Sequence, residues 1–274
     1  MRFPAILMAA ATQGSGKPDA DLTAWIAAVV ANGGSVSADR AAIVGGFIAA
    51  EKASGAWALT DDYWCLWAEN AAQALTSLKQ RRLATVTAAP TFTADRDYAF
   101  NGTSQYIDTG FIPGTHAVSM SLNSIHLDVY ERTNVSANTA ALGVTSGSNR
   151  LLRITPRSTS SAFGFTLTDS ATFTLPAADS RGLTQIGRNG ALVTDTYGAK
   201  NGADMVRAAD PTALGASLPS HSLYIGAANS AGTAANFRAS SIGFAACGAA
   251  LSQAQRLARY NAVQAWATAV GAQV

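Results

Sequence analysis

Paired carboxylates are the first chemistry to look for, because the chain has few glutamates and each can be checked. A retaining glycosidase places two carboxyl groups about 5–5.5 Å apart, which on one strand requires alternate positions that face the same way. The three glutamates are Glu51, Glu69 and Glu131, and none stands two or four residues from an aspartate on a predicted strand. Asp95 and Asp97 flank an arginine before the first strong strand, where a turn or an ion pair is expected. We therefore predict no catalytic residue and expect the chain not to be an enzyme.

The serine, histidine and cysteine residues form no recognisable catalytic motif in the sequence. No Gly-x-Ser-x-Gly elbow is present. His126 and Asp128 alternate on the polar face of a predicted strand and could bind a metal or transfer a proton, but no third partner is evident. Cys65 and Cys247 stand far apart among apolar neighbours, which favours two buried free thiols and leaves a disulfide as the alternative.

Metal ligands are too sparse for a recognisable site. Two cysteines and three scattered histidines do not make a four-ligand zinc site. Calcium would suit loop carboxylates and carbonyls, but the sequence shows no cage of such ligands. We therefore predict no metal and no cofactor.

Loop residues are the remaining candidates for ligand binding, because binding residues concentrate on loops held by a rigid scaffold. Tyr197 and Asn201 lie in one predicted loop, Asn229 lies in another, and Arg188 and Asn189 lie at a predicted hairpin tip. Together they offer an aromatic ring, amides and a guanidinium. Solvated turns are the alternative role for each.

Composition and charge narrow the classes of partner. Hydrophobic residues make up 48% of the 274 residues and charged residues only 13%, which is typical of a packed globular protein with a weakly charged surface. The 19 basic and 17 acidic residues are interspersed, and the one basic run, residues 79–82, fits a helix C-terminus. We expect no nucleic-acid partner, since such partners require a basic patch.

The first 83 residues read as an arm followed by helices. Residues 1–11 resemble a short signal peptide that is too short to span a bilayer, so we expect no membrane insertion and interpret this segment as an ordered apolar arm. Residues 12–18 are expected to be a flexible linker that completes the arm at 1–18. Apolar periodicity and caps predict helices over residues 19–31, 37–53 and 69–80. We predict assembly contacts at five apolar residues of this part: Phe3, Ile6, Leu7, Trp25 and Phe47.

A second pattern begins near residue 84 and continues almost to the end of the chain. Short segments alternate apolar and polar residues and are separated by turn signals, which is typical of a β-sandwich or barrel. A shift of phase at Asn123 and Ser124 predicts a bulge, and Asn189-Gly190 predicts a two-residue hairpin. Ser252 and Gln255 predict a capping box for a final helix. The four aromatic residues between 57 and 67 predict a packed seam between the helices and the sandwich, with a sugar platform as the alternative.

The order of these pieces resembles a known architecture. Residues 89–110 resemble the entry to a laminin-G-like, concanavalin-A-like domain, and residues 223–229 (LYIGAAN), 242–245 and 260–264 resemble its closing strands and final helix. The helical part, residues 28–75, is similar to the N-terminal part of bacteriophage and prophage structural proteins that carry this sandwich. The resemblance implies a mainly β fold, a concanavalin-A-like antiparallel jelly roll at residues 84–274, behind a helical module at residues 19–83 and the arm at 1–18.

The same resemblance implies a virion surface protein, such as a tail fibre component, a head spike or a capsid decoration. We expect it to be made in the bacterial cytoplasm, to dock through its N-terminal part onto other virion proteins, and to present its sandwich for assembly contacts or host cell-surface polysaccharide. A homo-oligomer is the default, and trimers are common in phage fibres and spikes. The alternatives are a secreted or surface glycan-active hydrolase and a purely architectural subunit without a ligand.

Overall fold

The computed structural model describes residues 19–147, 151–168, 173–192, 195–205 and 217–274. Its helices are α1 (Ala20–Ala31), α2 (Ala38–Ala53), α3 (Ala56–Leu59), α4 (Ala71–Leu75), α5 (Pro113–His116) and α6 (Gln253–Ala269). None of these helices is long and apolar enough to cross a membrane within the described part of the chain. The predicted arm contacts Phe3, Ile6 and Leu7 lie outside the described residues.

The three long helices begin where local capping chemistry predicts. The side chain of Asp19 accepts hydrogen bonds from the first turn of α1, and that of Ser37 accepts from the amide of Arg40 in α2. The capping box of Ser252 and Gln255 is present in full at the start of α6. The caps predicted from the sequence are therefore confirmed.

The predicted helix at residues 69–80 is wrong in its extent, because only α4 forms there. Asn70 caps α4, and the helix stops at Thr76, whose hydroxyl donates to the carbonyl of Ala72 at 2.7 Å. The amide of Leu78 then donates to the carbonyl of Tyr63 at 2.9 Å. The chain therefore leaves the helix to run beside a neighbouring extended segment.

Seventeen strands are formed by the described residues: β1 (Thr60–Cys65), β2 (Thr85–Thr87), β3 (Thr91–Thr93), β4 (Asp97–Ala99), β5 (Tyr106–Asp108), β6 (Ser124–Glu131), β7 (Leu142–Thr145), β8 (Leu151–Thr155), β9 (Ala162–Leu167), β10 (Phe173–Pro176), β11 (Gly182–Asn189), β12 (Thr196–Lys200), β13 (Ala203–Met205), β14 (Tyr224–Ile225), β15 (Ala228–Ser230), β16 (Thr233–Ala235) and β17 (Ser241–Gly248).

The strands form two sheets that pack face to face. The inner sheet, so named because helices cover its far side, has the order β13-β12-β11-β6-β17-β4-β3, and β1 also pairs with β17. The outer sheet has the order β10-β9-β8-β7-β14-β5-β2; β15 also pairs with β7, and β16 pairs with β15. All pairings are antiparallel within the described chain except that of β15 with β7. The predicted antiparallel β-sandwich with small helical parts at both ends is confirmed.

Strand β1 explains the aromatic run between residues 57 and 67. Its side chains alternate, so Trp64 packs into the core between the sheets while Tyr63 and Cys65 pack into a second core beneath the helices. Trp67 joins the second core, where its ring centroid lies 5.0 Å from that of Tyr130. The predicted seam is confirmed, although its central part is a strand of the sandwich that pairs with β17.

Two predictions about strand ends are wrong. A tight turn closes between Ser121 and Ser124 before β6 begins, where the sequence predicts a bulge inside a longer strand. Arg188 pairs with Thr196, so the connection after β11 is longer than the predicted two-residue hairpin. Such a hairpin occurs one connection later, between β12 and β13.

The hairpin between β12 and β13 has the geometry that Asn-Gly pairs favour. Lys200 pairs with Ala203, which leaves Asn201 and Gly202 as the two turn residues. Their φ angles are +50° and +78°, in the left-handed region that a type I′ turn requires. The side chain of Asn201 also accepts a hydrogen bond from the amide of Leu183 at 2.8 Å.

A buried arginine connects the helical layer to the inner sheet. Arg259 of α6 donates to both carboxylate oxygens of Glu51 in α2, at distances of 2.6–2.9 Å, and to Asp128 of β6 at 2.6 Å. Its guanidinium also donates to the hydroxyl of Thr60 at the start of β1. The side chains of Arg259, Glu51 and Asp128 are at most 1% exposed, so their charges depend on one another for solvation.

We expect Arg259→Met to destabilise the protein by about 3–5 kcal/mol, because it leaves two buried carboxylates without their cation. Urea unfolding at neutral pH measures this change. The matched control is Arg181→Met, which removes an arginine from an exposed pair with Asp179 and should leave the stability nearly unchanged. Equal losses for the two variants would contradict the role given to Arg259.

Candidate functional site

The open face of the outer sheet is where the fold leaves polar side chains accessible. Leu152 and Ile154 of β8 point into the core between the sheets. Strand alternation therefore turns Arg153 and Thr155 to the opposite face. Helices α2 and α6 cover the corresponding face of the inner sheet.

Register brings polar positions of three strands into one row on this open face. Thr155 of β8 pairs with Gly164 of β9, and Gly164 pairs with Thr174 of β10. Arg153 lies two residues before Thr155 on the same face. Together with loop residues they line a pocket of about 150 Å³, formed by Asn138, Arg153, Thr155, Ser158, Ser160, Gly164 and Thr174.

Hydrogen bonds fix the rim of the pocket. The hydroxyls of Ser158 and Ser160 lie 3.2 Å apart, and the side chain of Asn138 accepts from the amide of Thr159 at 3.1 Å. The hydroxyl of Thr155 donates to the carbonyl of Thr139 at 2.9 Å. These bonds tie the loop before β7 to the loop between β8 and β9, so the polar groups are held in place before any ligand binds.

The pocket is polar and small. Its lining offers hydroxyls, an amide and the Arg153 guanidinium, which are the donors and acceptors that pair with sugar hydroxyls. Burial lowers the pKa of Arg153, but an arginine stays protonated at physiological pH. The volume lies below the roughly 300–1,000 Å³ of sites for drug-sized ligands, so the pocket suits one ring of a larger molecule.

An aromatic group lies farther along the same face. Tyr106 stacks on Tyr224 with ring centroids 4.4 Å apart, and the ring of Phe237 lies 6.2 Å from that of Tyr106. Tyr224 pairs with Gly143, which in turn pairs with Arg153, so this group is two strands from the pocket, roughly 10 Å away. Burial, followed by the Asp108 carboxylate, raises the pKa of Tyr224 to about 12, so its hydroxyl stays protonated.

The structure places the predicted ligand residues at separate positions. Arg188 is buried and donates to the hydroxyl of Thr168, just after β9, at 3.4 Å, whereas its neighbour Asn189 is exposed. Tyr197 accepts a hydrogen bond from the amide of Leu251 at 2.9 Å and is covered by a guanidinium group of α6 at 3.9 Å.

Asn201 and Asn229 support turns on different sheets. Asn201 forms the β12–β13 turn of the inner sheet, and Asn229 lies in β15 beside the outer sheet. Asn229 is 2% exposed and donates to the carbonyl of Ser222 at 2.9 Å. The five predicted residues do not line one pocket, and their role in binding stays a prediction.

The other residues singled out from the sequence lie in cores. Trp25 and Phe47 are each 3% exposed and belong to the core beneath the helices. Cys65 and Cys247 are buried free thiols, which confirms that prediction. Burial raises the pKa of both thiols well above the ordinary value.

His126 and Asp128 gain the third partner that the sequence does not show. The Arg259 guanidinium lies 3.2 Å from His126 Nε2 and 2.6 Å from an Asp128 oxygen. Burial, followed by the Arg259 charge, lowers the pKa of His126, which therefore stays neutral and donates from Nδ1 to the carbonyl of Ala249. Within the described residues, no group of three or more His, Cys, Asp or Glu side chains could hold a metal ion.

The pocket residues were missed although a signal for them was present. The alternation of Leu152 and Ile154 already turns Arg153 away from the core. The turn-rich segment 156–161 marks a loop beside it. What the sequence does not give is the pairing of β8, β9 and β10, which brings Thr155 close to the strands that follow it.

Among known proteins, similarity to this chain is found in solved structures. No family model matches the chain, and no curated protein matches it. The chain is similar to a mutant NanB sialidase from Streptococcus pneumoniae, with 16% identity over 57% of this chain and 26% of that one, at a TM-score of 0.45. It is similar to domain 4 of AbnA, an extracellular arabinanase from Geobacillus stearothermophilus, in complex with arabinotriose, with 13% identity over 73% of this chain and 97% of that one, at a TM-score of 0.46.

A third similar structure is the Trypanosoma rangeli sialidase in complex with sialic acid, with 9% identity over 73% of this chain and 32% of that one, at a TM-score of 0.48. The chain thus spans about a quarter to a third of the length of the two sialidases. These likenesses concern the fold alone.

The prediction that the chain is not an enzyme is contradicted by these comparisons, because the similar chains are sialidases or a domain of an arabinanase. The prediction rests on carboxylate spacing along single strands. That test misses carboxylates supplied by separate elements. Glu51 and Asp128 show the difficulty, since they come from α2 and β6 yet meet at one guanidinium.

Asp128 gives a pH-dependent prediction. Burial raises its pKa from 3.8 to about 6, although the Arg259 charge and hydrogen bond lower it, and the nearby Glu51 carboxylate adds to the increase. A raised carboxyl pKa adds stability below the unfolded value of 3.8, and this stability is lost as the pH rises through 6. Asp128→Asn does not titrate, so its stability relative to the parent protein should rise by about 2 kcal/mol between pH 4 and pH 7.

Urea unfolding of both proteins at several pH values measures this difference. Asp62, whose pKa burial also raises to about 6, is present in both proteins and therefore cancels. A difference that does not change with pH would contradict the prediction.

Proposed function

We propose that the chain binds a glycan on the open face of its outer sheet, with one sugar ring in the pocket beside Arg153. The observation that supports this most directly is the convergence of hydroxyl, amide and guanidinium groups in a pocket of about 150 Å³. Sugars present many hydroxyls at fixed angles, so a rigid set of donors and acceptors suits them.

The architecture also supports this choice of face. Helices α2 and α6 pack on the inner sheet, whereas the row formed by Thr155, Gly164 and Thr174 faces away from both cores. The partly exposed Tyr106 ring offers an apolar surface to the next sugar of the bound glycan. The pocket would then set the position of one ring, and the aromatic group would add contact area for a longer glycan.

Placement on a virion surface stays part of the proposal and is supported by the resemblance of the sequence. In that setting the N-terminal part would dock onto other virion proteins and the open face would meet a host polysaccharide. The glycan proposal does not depend on this setting.

Thr174→Trp should weaken binding, because an indole at this exposed position fills the pocket without disturbing a core. The full chain is screened on an array of bacterial surface and plant cell-wall oligosaccharides, and a bound oligosaccharide is then titrated by calorimetry. We expect the variant to raise the Kd at least about tenfold, which corresponds to about 1.4 kcal/mol.

Thr85→Trp is the matched control, since Thr85 is an exposed threonine of the same sheet outside the pocket. It should bind like the parent protein. An array without any bound oligosaccharide, or equal affinity for Thr174→Trp and the parent, would overturn the proposal.

A further inference from the structure

A serine and a histidine meet at the end of β7, outside the pocket described above. Ser146 Oγ lies 2.8 Å from His221 Nδ1, although the two residues are 75 positions apart in the chain. Both side chains are partly exposed. This is the distance at which a histidine can accept the proton of a serine nucleophile.

Backbone contacts hold the serine in this position. The amide of Ser220 donates to Ser146 Oγ at 2.8 Å. A hydroxyl that accepts a backbone amide is better able to carry developing negative charge. The hydroxyl of Thr145 donates to the carbonyl of Gly147 at 3.2 Å and fixes the turn that follows β7.

Asn229 positions the segment that carries the histidine. Its amide nitrogen donates to the carbonyl of Ser222, next to His221, and its oxygen accepts from the amide of Gly232 at 2.8 Å. A side chain added at Gly232 would lie 3.9 Å from His221 Nε2, so this turn lies beside the imidazole. The buried Asn229 amide therefore fixes the histidine loop and the adjacent turn relative to each other.

We propose that Ser146 and His221 form a nucleophile and general base for hydrolysis of carboxylic esters, with Asn229 as a positioning residue. His221 takes the Ser146 proton as Oγ attacks the ester carbonyl and forms a new C–O bond. The imidazolium returns that proton to the alcohol as the ester C–O bond breaks. Water then attacks the acyl-serine with His221 as base, which releases the carboxylic acid and restores the serine.

The location suggests the alcohol part of the ester. Ser146 lies three residues beyond Gly143 on β7, and Gly143 pairs with Arg153 of the pocket. Three strand residues span roughly 10 Å, and the rest of the pocket lies toward the other end of β8. A sugar linked to the ring in the pocket, rather than that ring itself, could therefore present an acetyl ester to Ser146. This assignment of an acetylated glycan rests on the proposed function, whereas the ester chemistry does not.

The test uses the full chain with a fluorophosphonate probe, which labels activated serines, and with p-nitrophenyl acetate as a simple ester. Mass spectrometry should find the probe on Ser146. Ser146→Ala should remove labelling, and His221→Ala should slow labelling and ester hydrolysis at least about 100-fold. Ser230→Ala, which changes an exposed serine of the neighbouring β15, should leave both unchanged.

Thermal unfolding of each variant shows whether it is folded, and His221→Gln provides a second variant that retains a polar side chain without the base. Asn229→Asp removes the donor to the Ser222 carbonyl, and where thermal unfolding shows that this variant is folded, it should lower kcat for p-nitrophenyl acetate with little change in KM. An unlabelled Ser146 in the parent protein, or labelling that persists in folded His221→Ala and His221→Gln, would overturn the proposal and leave the contact as a clamp between loops.

Acetate release from an O-acetylated polysaccharide separates the two proposals. Hydrolysis of p-nitrophenyl acetate without acetate release would support the serine–histidine pair and overturn the glycan assignment. Loss of acetate release in Thr174→Trp, with p-nitrophenyl acetate hydrolysis retained, would support both.

Discussion

The buried side chain of Arg259 constrains how α6 and α2 pack on the inner sheet. A guanidinium without water requires anionic partners, and Glu51 and Asp128 supply them from two other elements. Because each ion needs the others, α6 and α2 have to occupy one position on the sheet. The apolar core beneath the helices could tolerate small shifts of packing, whereas the directional bonds of a guanidinium tolerate few.

A second buried pair places a similar constraint on the other end of the inner sheet. Arg238 donates to both oxygens of Glu131 at 2.7 and 2.9 Å and also to the carbonyl of Val135 at 3.0 Å. The loop that follows β6 is therefore anchored by a charge. This loop continues to Asn138 at the rim of the pocket. The polar rim of the open face thus depends on an ion pair inside the sandwich.

Features governed by neighbouring residues could be predicted from the sequence, and features governed by distant pairs could not. The caps at Ser37 and Ser252 involve residues within one turn, so local chemistry decides them. Glu51 and Arg259 stand 208 positions apart, and no local pattern relates them. Strand β1 was missed for the same reason, since its pairing with β17 decides its conformation. The pocket shares this limit, because it depends on which strands become neighbours.

The helical layer covers the inner sheet, so the open face of the outer sheet is the surface that the fold leaves for ligand recognition. Aromatic residues could have formed a sugar platform, but Tyr63, Trp64 and Trp67 are fully buried, so their large surfaces stabilise cores. The polar side chains that alternate with the core residues of β8 are left accessible to a ligand. Loops at opposite ends of the outer sheet carry Ser158 and Ser146. A sheet held rigid by its core gives these groups fixed distances, which both binding and ester chemistry require. The helical layer therefore serves function indirectly, by closing one face and stiffening the sandwich that presents the other.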